Sequence, residues 1–286
     1  MTATSRVARR RVVGNAMFQG AVSAAVLVGA IPFVLIVFFL LRKGLPVVLN
    51  PDFFTQVEHP AGFPGGGMKN AIVGTLMILA IASLIAVPIG IFAGVYMAEY
   101  GQNRLGDALR FISDVLTSLP SIVLGIFAYS LLVATTGHFS AIAGSVALAV
   151  LMMPVVLRTT EAAMVLVPNA VREAGYALGI PRWRVTLRVV IPTALGGITT
   201  GVLLAMARAA GETAPLLFTA LGSPFLNLDP TKPTQTLSLI VYHNALTPYP
   251  DLQDEAWGAA LLLVVMVTLA GIAARIYVAR LQRMSR

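Results

Sequence analysis

Six long stretches without a single Asp, Glu, Lys or Arg limit the fold of this chain more than any other feature. They are Met17–Leu41, Ala71–Met97, Val115–Gly137, Phe139–Leu157, Val189–Leu204 and Ala256–Ala274. The hydrocarbon core of a bilayer is roughly 30 Å thick and an α-helix rises about 1.5 Å per residue, so about 20 apolar residues cross it. The pattern predicts an all-α polytopic membrane protein with six transmembrane helices.

Composition excludes several other classes of protein. Of 286 residues, 57% are hydrophobic and 11% are charged, and the mean hydropathy is +0.85, which is too apolar for a soluble enzyme or a disordered chain. The chain has no cysteine, which excludes disulfides and thiolate metal sites, and His59, His138 and His243 are too scattered to indicate a metal cluster. We expect no metal site.

The third and fourth stretches form one uncharged run that is too long for a single crossing. Thr135, Thr136, Gly137 and His138 interrupt it and predict a tight hairpin turn. Two crossings joined by this turn complete the set of six, and an even number of crossings places both termini on the same side of the membrane.

The charges between the stretches predict which side that is. With cytoplasmic termini, the cytoplasmic segments hold fifteen basic and five acidic residues, a net charge of +10, and the outer segments hold four basic and six acidic residues, a net charge of −2. This asymmetry follows the positive-inside rule. The formal net charge of +8 is therefore a sidedness signal, and we expect no nucleic-acid partner.

Two pairs of glycines lie four residues apart inside the predicted spans. Gly90 with Gly94, and Gly197 with Gly201, have the spacing that lets two helix backbones approach closely. The same spacing also arises by chance in a chain with 25 glycines, so the sequence leaves both interpretations open.

The predicted cytoplasmic loop 158–188 is amphipathic and contains its own helix signals. Pro168 and Asn169 are typical of a helix start, Gly179 of a left-handed helix end, and Pro181 of a second helix start. The loop is predicted to form a helix-turn-helix elbow. Such an elbow suits docking of a cytoplasmic partner, or alternatively an interfacial helix that rests Trp183 and Tyr176 among lipid headgroups.

This elbow resembles the EAA loop of ABC importer permeases. Glu173-Ala174-Gly175, then Gly179, then Val189, Ile191 and Pro192 follow that pattern, with Gly175 in place of its second alanine and Leu178 in place of its usual aspartate. The resemblance implies a type I (MetI-like) transmembrane domain in which Glu173, Ala174 and Gly179 contact a separate ATPase. No lysine of this chain ends a phosphate-binding glycine loop, so we expect no nucleotide site here and ATP–Mg on the partner ATPase.

A charged pair follows the fifth apolar stretch. Arg208 and Glu212 are four residues apart, on one helix face, and can form an ion pair. A charge within the bilayer is unfavourable by about 2.5 to 3.5 kcal/mol and usually faces a partner or a water-filled path. One interpretation is a structural salt bridge; the other is an arginine that offers its guanidinium to an oxyanion, with Gly211 and Pro215 breaking the helix beside it.

The segment Ala207–Phe218 narrows the resemblance to permeases of the phosphate (Pst) importer. Pro120–Gly125, Arg158–Glu161 and Val167-Pro168 also match that group, and the matching region runs from about Gly66 to the carboxyl terminus. The resemblance implies import of inorganic phosphate across a bacterial cytoplasmic membrane, with Arg208, Glu212 and Thr213 in the phosphate path. It also implies a second, C-type permease, two copies of the ATPase and an extracytoplasmic phosphate-binding protein as partners.

We expect three divisions of the chain: residues 1–68 with the first span and an outer loop, a transmembrane core at 69–279, and a cytoplasmic tail at 280–286. The outer loop 222–255 contains an apolar run, Leu237–Tyr242, that is too short to cross and is interfacial or re-entrant. Three alternatives remain open: a permease for sulfate, molybdate or another oxyanion, an ion-driven carrier without an ATPase, and a membrane-bound enzyme. The elbow argues against the carrier, and no acid, base and nucleophile set supports the enzyme.

Overall fold

Helices account for 79% of the chain in a computed structural model that describes residues 3–63 and 65–284. The helices are α1 (Ala3–Val48), α2 (Asp52–Thr55), α3 (Lys69–Tyr100), α4 (Arg104–Ser118), α5 (Ser121–Ala128), α6 (Ala134–Thr136), α7 (Ala141–Val165), α8 (Asn169–Ala177), α9 (Arg182–Val185), α10 (Ile191–Ala210), α11 (Ala214–Thr219), α12 (Leu237–Ala245) and α13 (Pro250–Met284). Two π-helical segments, Tyr129–Val133 and Thr186–Val190, join α5 to α6 and α9 to α10. Arg286, one of the predicted cytoplasmic charges, lies outside the described residues, as do positions 1, 2, 64 and 285.

Five helical segments of the described chain are long and apolar enough to cross a membrane. They are Gly14–Val48, Lys69–Tyr100, Ala141–Val165, Arg182–Ala210 and Pro250–Arg280. A bent pair, Arg104–Ser118 with Ser121–Thr136, makes a sixth crossing when it is taken as one span. The predicted all-α membrane architecture is confirmed, with five or six spans.

The third predicted span does not run straight from Val115. Val115 belongs to α4, and the chain turns by 104° between α4 and α5. Pro120 explains the turn, because proline has no backbone N–H and disfavours helical geometry in the residue before it. Leu119 is accordingly extended, with φ −71° and ψ 135°. The helix that follows the bend therefore begins at Ser121.

Other helices extend beyond the apolar runs. Helix α7 continues through Val165 rather than ending at Leu157, and α13 begins at Pro250, so the last residues of the predicted outer loop 222–255 are helical. The hairpin turn is confirmed: α6 ends at Thr136, Gly137 is left-handed with φ +76°, and the side chain of Ser140 caps the start of α7.

Helix α7 lies between α3 and α10, and both glycine pairs face it. A Cβ atom on Gly90 would lie 2.7 Å from Cβ of Val156, and one on Gly94 would lie 2.6 Å from the carbonyl oxygen of Leu157. These distances are shorter than any real Cβ contact. The first glycine pair is therefore a close contact between α3 and α7.

The second pair makes the equivalent contact from α10. A Cβ atom on Gly197 would lie 2.7 Å from Cβ of Ala163, and one on Gly201 would overlap the side chain of Thr159. The structure thus favours a specific helix contact for both pairs over a chance spacing. Helix α7 is tightly enclosed on two sides.

The two ends of the bundle separate the charges as the sequence predicts. At one end, Arg110 of α4 donates to Glu161 of α7 from Nε (3.3 Å) and Nη2 (3.2 Å), and Arg158 donates to both Glu161 and Asp114. All four belong to the predicted cytoplasmic set. These ion pairs fasten the amphipathic helix α4 to α7.

The other end holds residues of the predicted outer set. Glu58 accepts hydrogen bonds from the side chains of Asn70 (3.1 Å) and Gln235 (2.9 Å), and Lys43 pairs with Asp254 at 3.6 Å. The short helix α12 is buried here, with Leu237, Leu239 and Ile240 fully enclosed. Of the two interpretations for this run, burial within the bundle favours the re-entrant one.

Candidate substrate path and coupling elbow

The predicted ion pair forms at the point where α10 ends. Arg208 lies in the last turn of α10, and its Nε is 3.6 Å from Oε1 of Glu212. The side chain of Arg208 is 50% exposed, whereas that of Glu212 is 18% exposed. Since the pair uses Nε, the two terminal nitrogens of the guanidinium can face an acceptor on the exposed side of α10.

The helix break beside the pair is real. Helix α10 ends at Ala210, and α11 begins at Ala214 with Pro215 in its first turn. Gly211 has φ −90° and ψ −4°, and an added Cβ would have its nearest neighbour at 3.8 Å, so this position does not require glycine. Pro215 is the better explanation of the break, because its ring and its missing N–H oppose a continuous helix.

Helix α12 stabilises the break. The hydroxyl of Ser238 donates to the carbonyl oxygen of Glu212 at 3.1 Å, and the hydroxyl of Thr213 donates to the carbonyl oxygen of Ser238 at 3.4 Å. A broken helix leaves backbone groups without partners, and inside a membrane these groups must be satisfied by protein. The structure thus brings Arg208, Glu212 and Thr213 to one place, and α12 supports Glu212 and Thr213 there.

Two of the segments that carry the phosphate-importer resemblance meet at this break. A Cβ atom on Gly125, at the end of the segment Pro120–Gly125, would lie 2.7 Å from Cα of Pro215. Helix α5 and helix α11 therefore pack backbone to backbone. The two contacting glycine and proline positions are some ninety residues apart in the sequence, and the fold brings their segments into contact.

The elbow forms at the other end of α10, with the predicted geometry. Helix α8 runs from Asn169 to Ala177, Gly179 is left-handed with φ +74°, and α9 begins at Arg182 directly after Pro181. The N–H of Gly179 donates to the carbonyl oxygen of Tyr176 at 2.9 Å. The local signals in the sequence were sufficient to predict this segment.

Gly175 has a packing role in the elbow. It is buried, and a Cβ atom there would lie 2.9 Å from Cγ2 of Val185, a fully buried residue of α9. The glycine that replaces the second alanine of the EAA pattern therefore fits α8 against α9. Glu173, Ala174 and Gly179, the residues expected to contact the ATPase, are all exposed.

Sequence reasoning missed Glu99, the most buried charge in this region. It lies near the end of α3, and its side chain is 2% exposed. Arg172 of α8 donates to its Oε1 from both Nε and Nη2 at 3.2 Å, and Arg182 of α9 donates to its backbone oxygen. The sequence showed only one acid among several cytoplasmic charges, with nothing to indicate which arginines it meets.

Comparisons with known proteins indicate the family of the chain. Residues 86–286 match the family described as "Binding-protein-dependent transport system inner membrane component". The phosphate transport system permease protein PstA of Yersinia pestis is 43% identical over 258 residues, which cover 90% of this chain and 87% of that protein. PstA of Haemophilus influenzae is 43% identical over 264 residues, covering 92% and 93%. PstA 1 of Mycobacterium tuberculosis is 37% identical over 270 residues, covering 93% and 87%.

A solved structure supports the fold. The inward-facing MetNI methionine ABC transporter contains a chain that aligns with a TM-score of 0.58 at 21% identity, covering 74% of this chain and 96% of that one. At this identity the likeness concerns the fold alone, which is the MetI-like fold expected from the sequence. The family match over residues 86–286 and the long matches to PstA proteins show that the chain belongs to the family of binding-protein-dependent transport system inner membrane components, as a PstA-type permease.

Proposed function

We propose that this chain is the permease subunit of an ATP-driven importer that moves inorganic phosphate across the cytoplasmic membrane of a bacterium by alternating access. The observation that carries the proposal is the Arg208–Glu212 ion pair at the break after α10, in a chain whose relatives are phosphate permeases. Arginine suits this role because its planar guanidinium binds tetrahedral oxyanions through two parallel hydrogen bonds.

The ion pair suggests how the proposed phosphate path responds when phosphate enters it. In this structure Glu212 pairs with Arg208 at 3.6 Å, and the pairing stabilises a charge that the sequence predicts to lie within the bilayer. Phosphate that reaches the guanidinium competes with the carboxylate for the same cation. Thr213 follows Glu212 and adds a hydroxyl, and the hydrogen bonds that join Glu212 and Thr213 to α12 hold the break in place.

The subunit acts without catalysis of its own. Membership of the family implies a partner ATPase. This ATPase hydrolyses ATP–Mg and contacts Glu173, Ala174 and Gly179 on the exposed side of the elbow. The full assembly contains a second permease of the C type, a homodimeric ATPase of the PstB type and an extracytoplasmic phosphate-binding protein of the PstS type. Support for this composition comes from the PstA relatives and from the exposed elbow.

Phosphate uptake by proteoliposomes that contain the whole complex tests the proposal. We expect Arg208→Ala and Glu212→Ala each to lower the uptake of labelled phosphate by about tenfold or more. The loss of one close charge contact raises the activation free energy of transport by about 1.4 kcal/mol or more, which corresponds to a factor of about ten in rate. Competition by unlabelled sulfate and molybdate in the same assay separates a phosphate importer from a permease for other oxyanions.

Lys43→Ala is the matched control. Lys43 and Asp254 form an ion pair of the same length, 3.6 Å, outside the helix break, and Lys43 is about as exposed as Arg208, although Asp254 is more exposed than Glu212. Removal of this pair should leave uptake unchanged. Normal uptake in assembled complexes that carry Arg208→Ala and Glu212→Ala would refute the role of this ion pair in the phosphate path. Uptake without the ATPase would refute the ATP-driven mechanism.

A further inference from the structure

Glu99 connects the membrane core to both helices of the elbow. Its carboxylate accepts from Arg172 on α8 and lies 3.5 Å from the hydroxyl of Thr186 in the π-helical segment, while its backbone oxygen accepts from Arg182 on α9. Three parts of the elbow region thus meet at one residue of α3. The remaining contacts show how firmly each of them is held.

Hydrogen bonds hold the guanidinium of Arg172 in one orientation. Besides Glu99, its terminal nitrogens donate to the carbonyl oxygens of Met164, near the end of α7, and Val167, just after α7. Its side chain is only 13% exposed. An arginine that donates to three acceptors in a fixed fork geometry fixes its own helix relative to the segments that supply them. Here Arg172 fixes α8 relative to α3 and the end of α7.

Arg182 is held from two directions. Its guanidinium lies 4.8 Å above the ring of Tyr100, the residue after Glu99, in addition to its hydrogen bond to the Glu99 carbonyl. The last two residues of α3 therefore hold α9, and Glu99 also holds α8. A cavity of about 500 Å³ borders Glu99, Arg172 and Arg182 and also borders Glu173, one of the residues expected to contact the ATPase.

We propose that Glu99 is the positioning residue that fixes the elbow to the membrane core, so that movement of the elbow is passed to α3 and α7 rather than lost in the loop. A buried ion pair adds little net stability but fixes orientation, and loss of one partner leaves the other charge buried without compensation. This inference rests on the proposed function, because it concerns how the elbow passes on closure of the ATPase. It assigns a role to a residue outside both the exposed coupling surface and the phosphate path.

The first experiment measures coupling in the complete complex. Glu99→Gln keeps the size of the side chain and removes its charge. We expect it to preserve ATP hydrolysis and to lower the phosphate imported per ATP by about fivefold or more, the lower end of usual coupling effects between sites. A residue needed only for stability would lower both rates together. An unchanged ratio in an assembled complex overturns the proposal.

Glu161→Gln is the matched control. Glu161 is also a cytoplasmic carboxylate held by two arginines, Arg110 and Arg158, but those contacts join α4 to α7 and do not reach the elbow. It should leave the ratio unchanged, and an equal loss in Glu161→Gln would contradict the specific role of Glu99. If Glu99→Gln prevents assembly, Arg172→Lys replaces it, because lysine keeps the charge but loses the fork of donors.

A second measurement does not depend on phosphate or ATP. The chain has no cysteine, so two spin labels can be placed on Leu84→Cys, exposed on α3, and Leu178→Cys, exposed on the elbow, in a complex whose other subunits lack cysteine. The distance distribution between the labels should broaden in Glu99→Gln and stay narrow in Glu161→Gln. A narrow distribution in Glu99→Gln would refute the positioning role even if the complex imports no phosphate at all.

Arg172→Gln completes a double-mutant cycle on the width of that distribution. If Glu99 and Arg172 act as one contact, Glu99→Gln combined with Arg172→Gln should broaden it no more than Arg172→Gln alone. Additive effects of the two substitutions would show separate roles and would overturn the inference.

Discussion

At the scale of single residues, glycine determines how closely the central helices approach. Gly90, Gly94, Gly197 and Gly201 all contact α7 through positions where a methyl group has no room. Membrane helices lack a hydrophobic drive to associate with one another, so close backbone packing carries much of their affinity. The spacing of these glycines was visible in the sequence, but which helix they meet was not, because the pattern is equally compatible with lipid or with a partner.

We expect Gly201→Ala to destabilise the protein by about 1–3 kcal/mol, the usual range for overpacking, because its methyl group would overlap Thr159. The measurement is the temperature at which half of the purified protein leaves the monodisperse peak on size-exclusion chromatography. Gly271→Ala on α13 is the control, since no atom lies within 4 Å of its added Cβ. Equal stability of the two variants would show that the α7–α10 contact is not tight.

Charge placement illustrates a different limit at the residue scale. Arg208 and Glu212 could be paired from sequence because they lie one turn apart on one helix. Glu99 could not be paired with Arg172, which is 73 residues away in the chain. Sequence spacing predicts contacts within a helix, whereas contacts between helices need the fold.

At the scale of helices, the sequence predicted those helix ends that proline or glycine residues next to them explain. The elbow was predicted from Pro168, Gly179 and Pro181, and the break after α10 was predicted from Pro215. The bend at Leu119–Pro120 was missed because the uncharged run continues across it, and span prediction follows hydrophobicity rather than direction. The burial of α12 depends on α3 and α13 and was left open for the same reason.

The contact between α12 and the helix break leads to a prediction for Ser238. Ser238→Ala removes the hydroxyl that donates to the carbonyl oxygen of Glu212, in a site where Ser238 is 4% exposed. We expect a loss of about 1 kcal/mol of stability, the usual value of one such hydrogen bond, and reduced phosphate uptake. Thermal denaturation in detergent and uptake in proteoliposomes measure the two effects.

Ser130→Ala provides the comparison for this variant. Ser130 is exposed and donates at 3.0 Å to Ile126, within its own helical segment. Its loss should leave both stability and uptake near the wild-type values. A Ser238→Ala protein with unchanged stability would mean that α12 does not support the break.

At the scale of the whole molecule, the sidedness predicted from the charges stays a prediction, with which the ion pairs of the structure are consistent. Ion pairs in the structure join members of one predicted side, such as Glu161 with Arg110 or Lys43 with Asp254, and the Arg208–Glu212 pair lies at the end of α10, where the candidate span ends at Ala210. A net charge of +8 can also indicate a nucleic-acid partner, and the distribution of the charges along the chain argues against that interpretation.

A labelling experiment tests the orientation directly. Leu178→Cys on the elbow and Leu246→Cys after α12 are highly exposed positions at opposite ends of the bundle, in a chain without other cysteines. A membrane-impermeant maleimide added to intact cells whose outer layers are permeable should label Leu246→Cys, and inverted vesicles should expose Leu178→Cys. The reverse pattern would place both termini outside.

The enclosure of α7 also determines where a hydrated ion can travel. Two helices press their backbones against α7, so no aqueous lumen fits between α7 and either neighbour, whereas Leu204 and Arg208 are exposed on α10. Under the proposed function, a phosphate ion that meets Arg208 moves along an outer wall of this polypeptide. The opposite wall of such a conduit then comes from another molecule, so this chain alone encloses only half of it.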